Sequence, residues 1–309
     1  MIKIKSLTKK FDQFKAVSDL NFEVSEGEVL GFLGPNGAGK STTMKVITGF
    51  LSPSAGTVEI DGYDIIEDPL KAKELIGYLP EGAPCYADMS VLEFLSFIAE
   101  IRGFRNEDAV ERVQNVLDLV DLQTVCQQSI DTLSKGFKRR VGLAQAIIHD
   151  PKVLILDEPT DGLDPNQKHH VRELIKNLAK DKIVIISTHI LEEVTAVCSR
   201  AIIINSGEIV ADGTPNELEA RSKYHHAVVV SFSEAYNPQR DLSELSELVV
   251  VEENGNASVT ILSNNKSPIF NKISEIARSK NWPISEMHVN RGQLEDVFRV
   301  VTSQMRECD

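Results

Sequence analysis

Short apolar segments alternate with helical periodicity over the first 220 residues of the chain. Strands are predicted at residues 28–33, 57–60, 76–79, 153–156 and 183–186. The last two lack polar alternation, which is typical of strands in a parallel sheet that is covered on both faces. A helix is predicted at residues 40–48, directly after a glycine-rich segment. The pattern therefore predicts a mixed α/β core.

Helical periodicity dominates between about residues 82 and 150. Ser90 can cap the first helix of this region, and Glu93 three residues later completes the pattern of a capping box. Asn106 can cap the second helix. The apolar residues that fall on one face of this second helix are Val110, Val113, Val116, Leu117 and Val120. We therefore expect a helical subdomain at about residues 82–150, inserted into the core.

The pattern changes after about residue 222. Strands are predicted at residues 227–232, 247–251, 257–262 and 284–289, and helices at residues 267–279 and 293–302. This second region has no glycine-rich loop of its own. The pattern predicts a small α+β domain at residues 221–309, which follows a first domain at residues 1–220.

Composition and charge narrow the possible functions. The chain has 309 residues, of which 42% are apolar and 26% are charged, as expected for about two globular domains. The net charge of −13 argues against a protein that binds nucleic acid through bulk electrostatics. No apolar run approaches the roughly 18 residues of a membrane span, and the chain begins without the pattern of a signal peptide. Together with four scattered cysteines (Cys85, Cys126, Cys198 and Cys308), these features predict a cytoplasmic chain with no nucleic-acid partner.

Residues 34–41 have the pattern G-x-x-x-x-G-K-[ST] of a phosphate-binding loop. Its glycines let successive backbone N–H groups point toward one anion, and the helix that follows directs its N-terminus at the phosphates. We expect Lys40 to reach the β- and γ-phosphates, Ser41 to bind Mg²⁺, and Thr42 to help hold the α- or β-phosphate. A glycine turn without a ligand is the alternative, which the strand before the loop and the helix after it disfavour. The predicted phosphate-binding residues are Asn36, Gly37, Ala38, Gly39, Lys40, Ser41 and Thr42.

Two carboxylates and a histidine follow the two strands that lack polar alternation. Asp157 can hold Mg²⁺ through water, and Glu158 is better placed to orient or deprotonate the attacking water. His189 follows the next strand, where it can hydrogen-bond the γ-phosphate beside the ligand crevice. An acidic turn and a structural histidine are the alternatives. The phosphate loop in the same chain favours a catalytic interpretation of all three residues.

Five motifs in a fixed order make residues 1–220 resemble the ATP-binding cassette (ABC) ATPases. They are the phosphate loop, L-S-K-G-F at 133–137 where the family has LSGGQ, L-D-E-P-T at 156–160, G-L-D at 162–164, and S-T-H at 187–189. This resemblance implies a P-loop NTPase fold and a head-to-tail dimer that holds two ATP molecules between two cassettes. In that dimer, Ser134 and the Gly136 N–H cap the γ-phosphate bound by the other cassette, and Asp164 lies across the interface. The family also places an aromatic residue that stacks on adenine at the position of Phe11, for which a core aromatic is the alternative.

Two positions depart from the family pattern. Glu81 stands where the family has a glutamine; its carboxylate can meet Mg²⁺ or a water on it, or it is a solvated loop charge. In the signature segment, Lys135 replaces a glycine and Phe137 replaces a glutamine. Lys135 either adds positive charge near the γ-phosphate or points to solvent. Because Ser134 and Gly136 are retained, we expect ATP hydrolysis to be preserved.

Within the family, a single cassette with L-P-E and L-S-K-G looks most like the ATP-binding subunits of bacterial ABC-2-type exporters. That likeness implies an ATPase on the inner face of the cell membrane, which powers export through a separate membrane permease subunit and pairs with a second, identical or different cassette. The permease would dock at about residues 81–105, which include Tyr86, Met89, Phe94 and Phe97; alternatively, Phe94 and Phe97 belong to the local core. A non-transport ABC ATPase that acts on ribosomes or nucleic acid is the alternative function. The acidic charge, the single phosphate loop and the short spacing between motifs disfavour it.

Overall fold

The computed structural model describes residues 1–82, 85–242, 249–253, 257–264 and 267–303. The chain divides into two compact units, Met1–Thr214 and Pro215–Asp309. Cys308, one of the four scattered cysteines, lies outside the described residues.

The first unit alternates strands and helices. Its strands are β1 (Ile2–Phe11), β2 (Phe14–Val24), β3 (Val29–Leu33), β4 (Ala55–Ile60), β5 (Tyr63–Asp64), β6 (Ile76–Leu79), β7 (Val153–Asp157), β8 (Ile183–Thr188), β9 (Arg200–Asn205) and β10 (Glu208–Gly213). Its helices are α1 (Lys40–Ile47), α2 (Pro69–Glu74), α3 (Val91–Ile101), α4 (Asn106–Leu119), α5 (Lys135–Ile147), α6 (Pro165–Leu178) and α7 (Leu191–Val197).

Two sheets form the body of this unit. One is antiparallel with the order β2-β1-β4-β5, and the other has the order β10-β9-β3-β8-β7-β6. In the second sheet the strands from β9 to β6 run parallel, and β10 pairs antiparallel to β9 at its edge. Four predicted strands correspond to β3, β6, β7 and β8, and all of them lie in this sheet. The predicted mixed α/β core is confirmed.

The main core lies between the two sheets and α1. Every residue of β3, β7 and β8 is buried, which explains why these strands read as continuous apolar runs. Phe22 of β2 packs on Phe32 of β3 with ring centroids 5.8 Å apart. Met44 and Ile47 of α1 are fully buried in the same cluster. Each such side chain contributes about 1.5–3 kcal/mol by burial, so the parallel sheet is held firmly against both α1 and the second sheet.

The predicted helical region contains α3, α4 and α5. The capping box of α3 is confirmed: the Ser90 hydroxyl accepts from the Glu93 N–H at 3.2 Å, and the Glu93 carboxylate accepts from the Ser90 N–H at 2.8 Å. The prediction that Asn106 caps α4 is wrong. The N-cap is Arg105, and Asn106 takes a left-handed conformation with φ of 53° instead of the extended one that a capping side chain needs. The apolar face of α4 is buried from Val113 onward, whereas Val110 in the first turn is exposed.

The second unit is an antiparallel sheet with helices. Its elements are α8 (Pro215–Glu219), β11 (Val228–Phe232), β12 (Val249–Glu253), β13 (Ser258–Ser263), α9 (Phe270–Ser279), β14 (Ile284–Val289) and α10 (Leu294–Ser303), and its sheet order is β12-β13-β11-β14. Apolar side chains of β11, β13 and α9 form its core. Asp241 accepts hydrogen bonds from the Tyr236 hydroxyl at 2.5 Å and from the Trp282 indole at 2.9 Å. These bonds hold Tyr236 and Trp282, which both pack against Phe232 in that core.

We expect Ser90→Ala to lower the free energy of unfolding by about 1 kcal/mol, because it removes the N-cap of α3. The measurement is equilibrium urea unfolding followed by circular dichroism. Ser96→Ala, in the middle of the same helix, is the matched control and should stay within about 0.5 kcal/mol of the wild type. Equal stability of the Ser90→Ala variant and the wild type would contradict the role of the capping box.

Candidate functional site

The register of the parallel sheet brings three loops to one edge. Leu33 of β3 pairs with Thr188 of β8, and Asp157 of β7 pairs with Ser187 of β8. The segments that follow these strands therefore leave the sheet at the same level. They are the glycine-rich loop after β3, Glu158 after β7 and His189 after β8. The carboxyl edge of a parallel sheet is where α/β proteins bind ligands.

Two positions of the glycine-rich loop leave no space for a side chain. A β-carbon at Gly34 would collide with the carbonyl oxygen of Ile204. Gly39 has a φ of 105°, and a β-carbon there would lie 2.5 Å from the carbonyl oxygen of Ala16. Because α1 begins at Lys40, the loop delivers an anion directly to the N-terminus of a buried helix.

Lys40 lies folded against this loop. Its ammonium donates to the carbonyl oxygens of Gly34 at 2.7 Å and Pro35 at 3.1 Å. Burial lowers the pKa of Lys40 below its usual value. The carboxylates of Glu158, Asp157 and Glu81 oppose this shift in part. The ammonium is therefore a positive charge within the electrostatic reach of the carboxylates at the sheet edge.

Asp157 and Glu158 have different surroundings. The Asp157 side chain is buried; its Oδ1 accepts from the Ser187 hydroxyl, and its Oδ2 has no hydrogen-bond partner. Glu158 has a φ of 52°, and its Oε1 lies 2.9 Å from Nδ1 of His189. A carboxylate only accepts hydrogen bonds, so this contact requires the proton on Nδ1. One carboxylate is thus left with an unsatisfied buried oxygen, and the other is paired with a histidine.

An open cleft of about 450 Å³ lies at the glycine-rich loop and Glu158, and neither Asp157 nor His189 is among the residues that line it. This volume is in the range of about 300–1,000 Å³ that is typical of small-molecule sites. Phe11 is 44% exposed, so it is not a core aromatic, and the Lys9 ammonium lies 5.1 Å from its ring centroid. The cleft is lined by Phe11, Phe14, Ala16, Asn36, Gly37, Gly39, Lys40, Ser41, Thr42, Glu81 and Glu158. The structure thus brings Phe11, Glu81 and the predicted phosphate-binding residues together in one cleft, except for Ala38, which is buried and does not line it.

Phe14 also lines the cleft, although the sequence pattern did not predict it. It pairs with Phe11 across the turn between β1 and β2, and it is strongly exposed. The available signal was a second aromatic residue three positions after Phe11. Two exposed aromatic rings therefore line the cleft, and rings of this kind suit a planar ligand.

The signature residues are not among those that line this cleft. Ser134 caps α5 by accepting from the Phe137 N–H at 3.3 Å, and Asp164 caps α6 by accepting from the Gln167 N–H at 2.9 Å. Gly136 and Gln167 are packed so closely that a β-carbon on the glycine would lie 2.6 Å from Oε1. The signature segment and the segment before α6 therefore form one packed surface. Lys135, also on this surface, is exposed beside Gly162.

Arg139 is a second residue that the sequence analysis missed. Its guanidinium donates to the carbonyl oxygens of Asp157, Glu158 and Pro80, the last at 2.9 Å. Burial lowers the pKa of Arg139 below its usual value. The available signal was a charged residue on the apolar face of α5, three positions after Gly136. Arg139 ties the helix that carries the signature segment to the strand ends that carry the carboxylates.

Comparison with known proteins gives a consistent result. The family model described as ABC transporter matches residues 17–161. The uncharacterized ABC transporter ATP-binding protein YxlF of Bacillus subtilis is 38% identical over 72% of this chain and 74% of its own length. The Nod factor export ATP-binding protein I of Cupriavidus metallidurans is 33% identical over 80% of this chain and 82% of its own length. Other relatives are longer, and the chain spans 36–38% of their length.

A solved structure shares the fold of the first unit. It is the dimeric post-hydrolysis state of the ATP-binding cassette MJ0796 bound to ADP and Pi, with a TM-score of 0.65 and 25% identity. The likeness covers 70% of this chain and 99% of that one. The first unit therefore has an ABC ATPase fold, and this chain is an ATP-binding protein.

We expect Phe11→Ala to weaken ATP binding about 10-fold, because stacking of a base on an aromatic ring contributes about 1–3 kcal/mol. The measurement is isothermal titration calorimetry with ATP. Phe50→Ala is the matched control, since Phe50 is 73% exposed and does not line the cleft. Unchanged affinity of the Phe11→Ala variant would show that the adenine is bound elsewhere.

Proposed function

We propose that this chain, which belongs to the family of ABC transporter ATP-binding proteins and hydrolyses ATP to drive transport, powers export through a separate membrane permease subunit. One observation carries the hydrolytic part of the proposal. The phosphate loop, a buried carboxylate with a free oxygen and a carboxylate–histidine pair meet at one edge of the sheet. Export is supported by the likeness to bacterial ABC-2-type exporter subunits and by a relative named for Nod factor export.

Mg²⁺ fits the residues at this edge. Oδ2 of Asp157 is a buried carboxylate oxygen with no partner, which a cation or a water bound to it would satisfy. Ser41 and Glu81 line the cleft, as does Glu158, the residue that follows Asp157. Ser41 and Glu81 would complete the protein side of the site. Among the described residues, no cluster of three or more His, Cys, Asp or Glu side chains could hold a metal. That is expected for Mg²⁺, which is usually held by one or two carboxylates together with substrate phosphates. When bound, the ion neutralises charge that develops on the phosphate oxygens.

Hydrolysis follows from the chemistry of the paired residues. Glu158 orients or deprotonates the attacking water as a general base. His189, 2.9 Å from the Glu158 carboxylate, contacts the γ-phosphate and senses its loss. Lys40 leaves its two loop carbonyls for the β- and γ-phosphates, since charge-assisted bonds to phosphate are stronger than bonds to neutral carbonyls. Asn36, Gly37, Ala38, Gly39 and Thr42 complete the phosphate cradle.

A second cassette, identical or different, completes each site. Ser134, Lys135 and Gly136 do not line the cleft of their own chain. Ser134 and Lys135 are exposed and could meet the nucleotide of a partner chain, whereas Gly136 is buried and could contribute only its backbone N–H. The N-terminus of α5 offers a backbone N–H group and a hydroxyl to a γ-phosphate there. Asp164 lies on the same packed surface and would contact the partner across the interface. The dimeric cassette with 25% identity supports this arrangement.

The membrane subunit docks on the helical region. An apolar groove there is lined by Tyr86, Phe97, Ile101 and neighbouring residues. Tyr86 is strongly exposed and packs edge-on against the Phe97 ring at 5.6 Å. Phe94 is only 2% exposed and is a local core residue. The permease would therefore contact the exposed side chains of the groove, Tyr86 and Ile101. No helix in the described parts of the chain is long and apolar enough to span a bilayer. We place the chain on the inner face of the cell membrane, held there by its partner.

We expect Glu158→Gln to lower ATP turnover about 10²–10⁴-fold, the usual contribution of a general base. ATP affinity should remain, so the variant should accumulate as an ATP-bound dimer. Steady-state turnover and light scattering with and without ATP measure the two effects. Glu192→Gln, an exposed glutamate in α7, is the matched control. Unaltered turnover without an ATP-dependent dimer would refute the role of Glu158.

A further inference from the structure

Glu193 is a buried carboxylate that joins two loops of the site. It lies in α7 and is 4% exposed. Its Oε1 accepts from the Thr160 hydroxyl, and its Oε2 accepts from the Thr188 hydroxyl at 2.7 Å. Thr188 Oγ1 also accepts from the Ile190 N–H at 3.0 Å. The Thr188 hydroxyl hydrogen is therefore directed at Glu193, and both neighbours of His189 are held in place.

These bonds close a ring around the proposed catalytic pair. Thr160 follows Glu158 by two residues, and Thr188 directly precedes His189. The contact of 2.9 Å between Glu158 and His189 forms the last link. The ring thus runs from Glu158 along the chain to Thr160, through Glu193 to Thr188, and along the chain to His189. A shift of the Glu193 carboxylate would therefore act on both threonines that lie close to the catalytic pair in the sequence.

Packing alone does not require a carboxylate at this position. Burial raises the pKa of Glu193, which reflects the cost of placing a charge in the interior. An apolar side chain of similar size would fill this space without that cost. What an apolar side chain cannot do is accept a hydrogen bond from both threonines at once. The two hydrogen bonds are therefore the distinctive contribution of this residue.

We propose that Glu193 is a positioning residue for ATP hydrolysis, which holds Glu158 and His189 at their working separation through Thr160 and Thr188. This inference rests on the proposed function, in which Glu158 and His189 act on the γ-phosphate. None of the residues in the phosphate loop contacts Glu193 in this ring, so its effect falls on the chemical step and not on nucleotide binding.

The test is steady-state ATP turnover of Glu193→Ala and Glu193→Gln beside the wild type. Because a misplacement of about 1 Å can cost about 10²-fold in rate, Glu193→Ala should lower kcat by about 10- to 100-fold and leave KM for ATP within about threefold. Glu193→Gln retains one acceptor and the side-chain shape, and it should fall between that variant and the wild type. Glu192→Gln is the matched control in the same helix.

A second pair of variants tests the ring without removing a charge. Thr188→Val deletes the hydroxyl at nearly constant volume, and Thr188→Ser restores it. We expect a lower kcat for the valine variant and recovery for the serine variant, with thermal unfolding of all folded variants monitored alongside. A loss that serine does not recover, or one in which KM rises as much as kcat falls, overturns the inference in favour of a purely structural role.

Double variants separate this inference from the proposed function. Because Glu193 is proposed to act through both His189 and Glu158, Glu193→Ala should cost less in kcat in the His189→Ala background than in the wild type. Fully additive losses would overturn the positioning role. If Glu158→Gln and His189→Ala both hydrolyse ATP at the wild-type rate, the proposed function itself fails. If those two variants are inactive while Glu193→Ala and Thr188→Val match the wild type, only the present inference fails.

Discussion

The site depends on the parallel pairing of β3, β8 and β7. That pairing fixes where each strand ends, so the phosphate loop, the two carboxylates and the histidine emerge at one level. The strands are buried throughout, and their apolar contacts with α1 and the second sheet leave little freedom for the edge to shift. Loops on a rigid sheet edge can carry reacting groups with the accuracy that catalysis needs.

Local charge governs this site more than net charge does. The chain carries a net charge of −13, yet its cleft is lined by the glycine-rich loop and by Lys40, which we propose bind the phosphates. Glu158 lines the same cleft and the buried Asp157 directly precedes it, so a nucleotide can approach these carboxylates only when cations balance the charge. Lys40 supplies one positive charge, and Mg²⁺ on Asp157 would supply more. The buried guanidinium of Arg139 binds carbonyl oxygens and fixes the strand ends that hold the carboxylates.

Sequence patterns predict what depends on local spacing. The glycine-rich loop, the buried strands and the capping box at Ser90 each have a short pattern with a direct physical cause, and the structure contains all of them. The ring through Glu193 could not be predicted, because Thr160 and Glu193 are 33 residues apart and meet only through tertiary packing. Asn106 was predicted to be a cap from residue type alone, and the local backbone conformation decided otherwise. Phe14 and Arg139 have weak sequence signals, because their roles depend on tertiary structure: Phe14 lines the cleft, and Arg139 binds carbonyl oxygens at the strand ends.

We propose above that each cleft is half of a site, which the signature segment of a second cassette completes. The most direct test is ATP turnover of a mixture of two inactive variants, Lys40→Met and Ser134→Arg, after their subunits have exchanged. A mixed head-to-tail dimer contains one site in which Lys40 and the partner's Ser134 are both intact. Half of the dimers are mixed, and each of these has one intact site out of two. We therefore expect recovery to about a quarter of the wild-type turnover. Turnover no higher than that of either variant alone would contradict it.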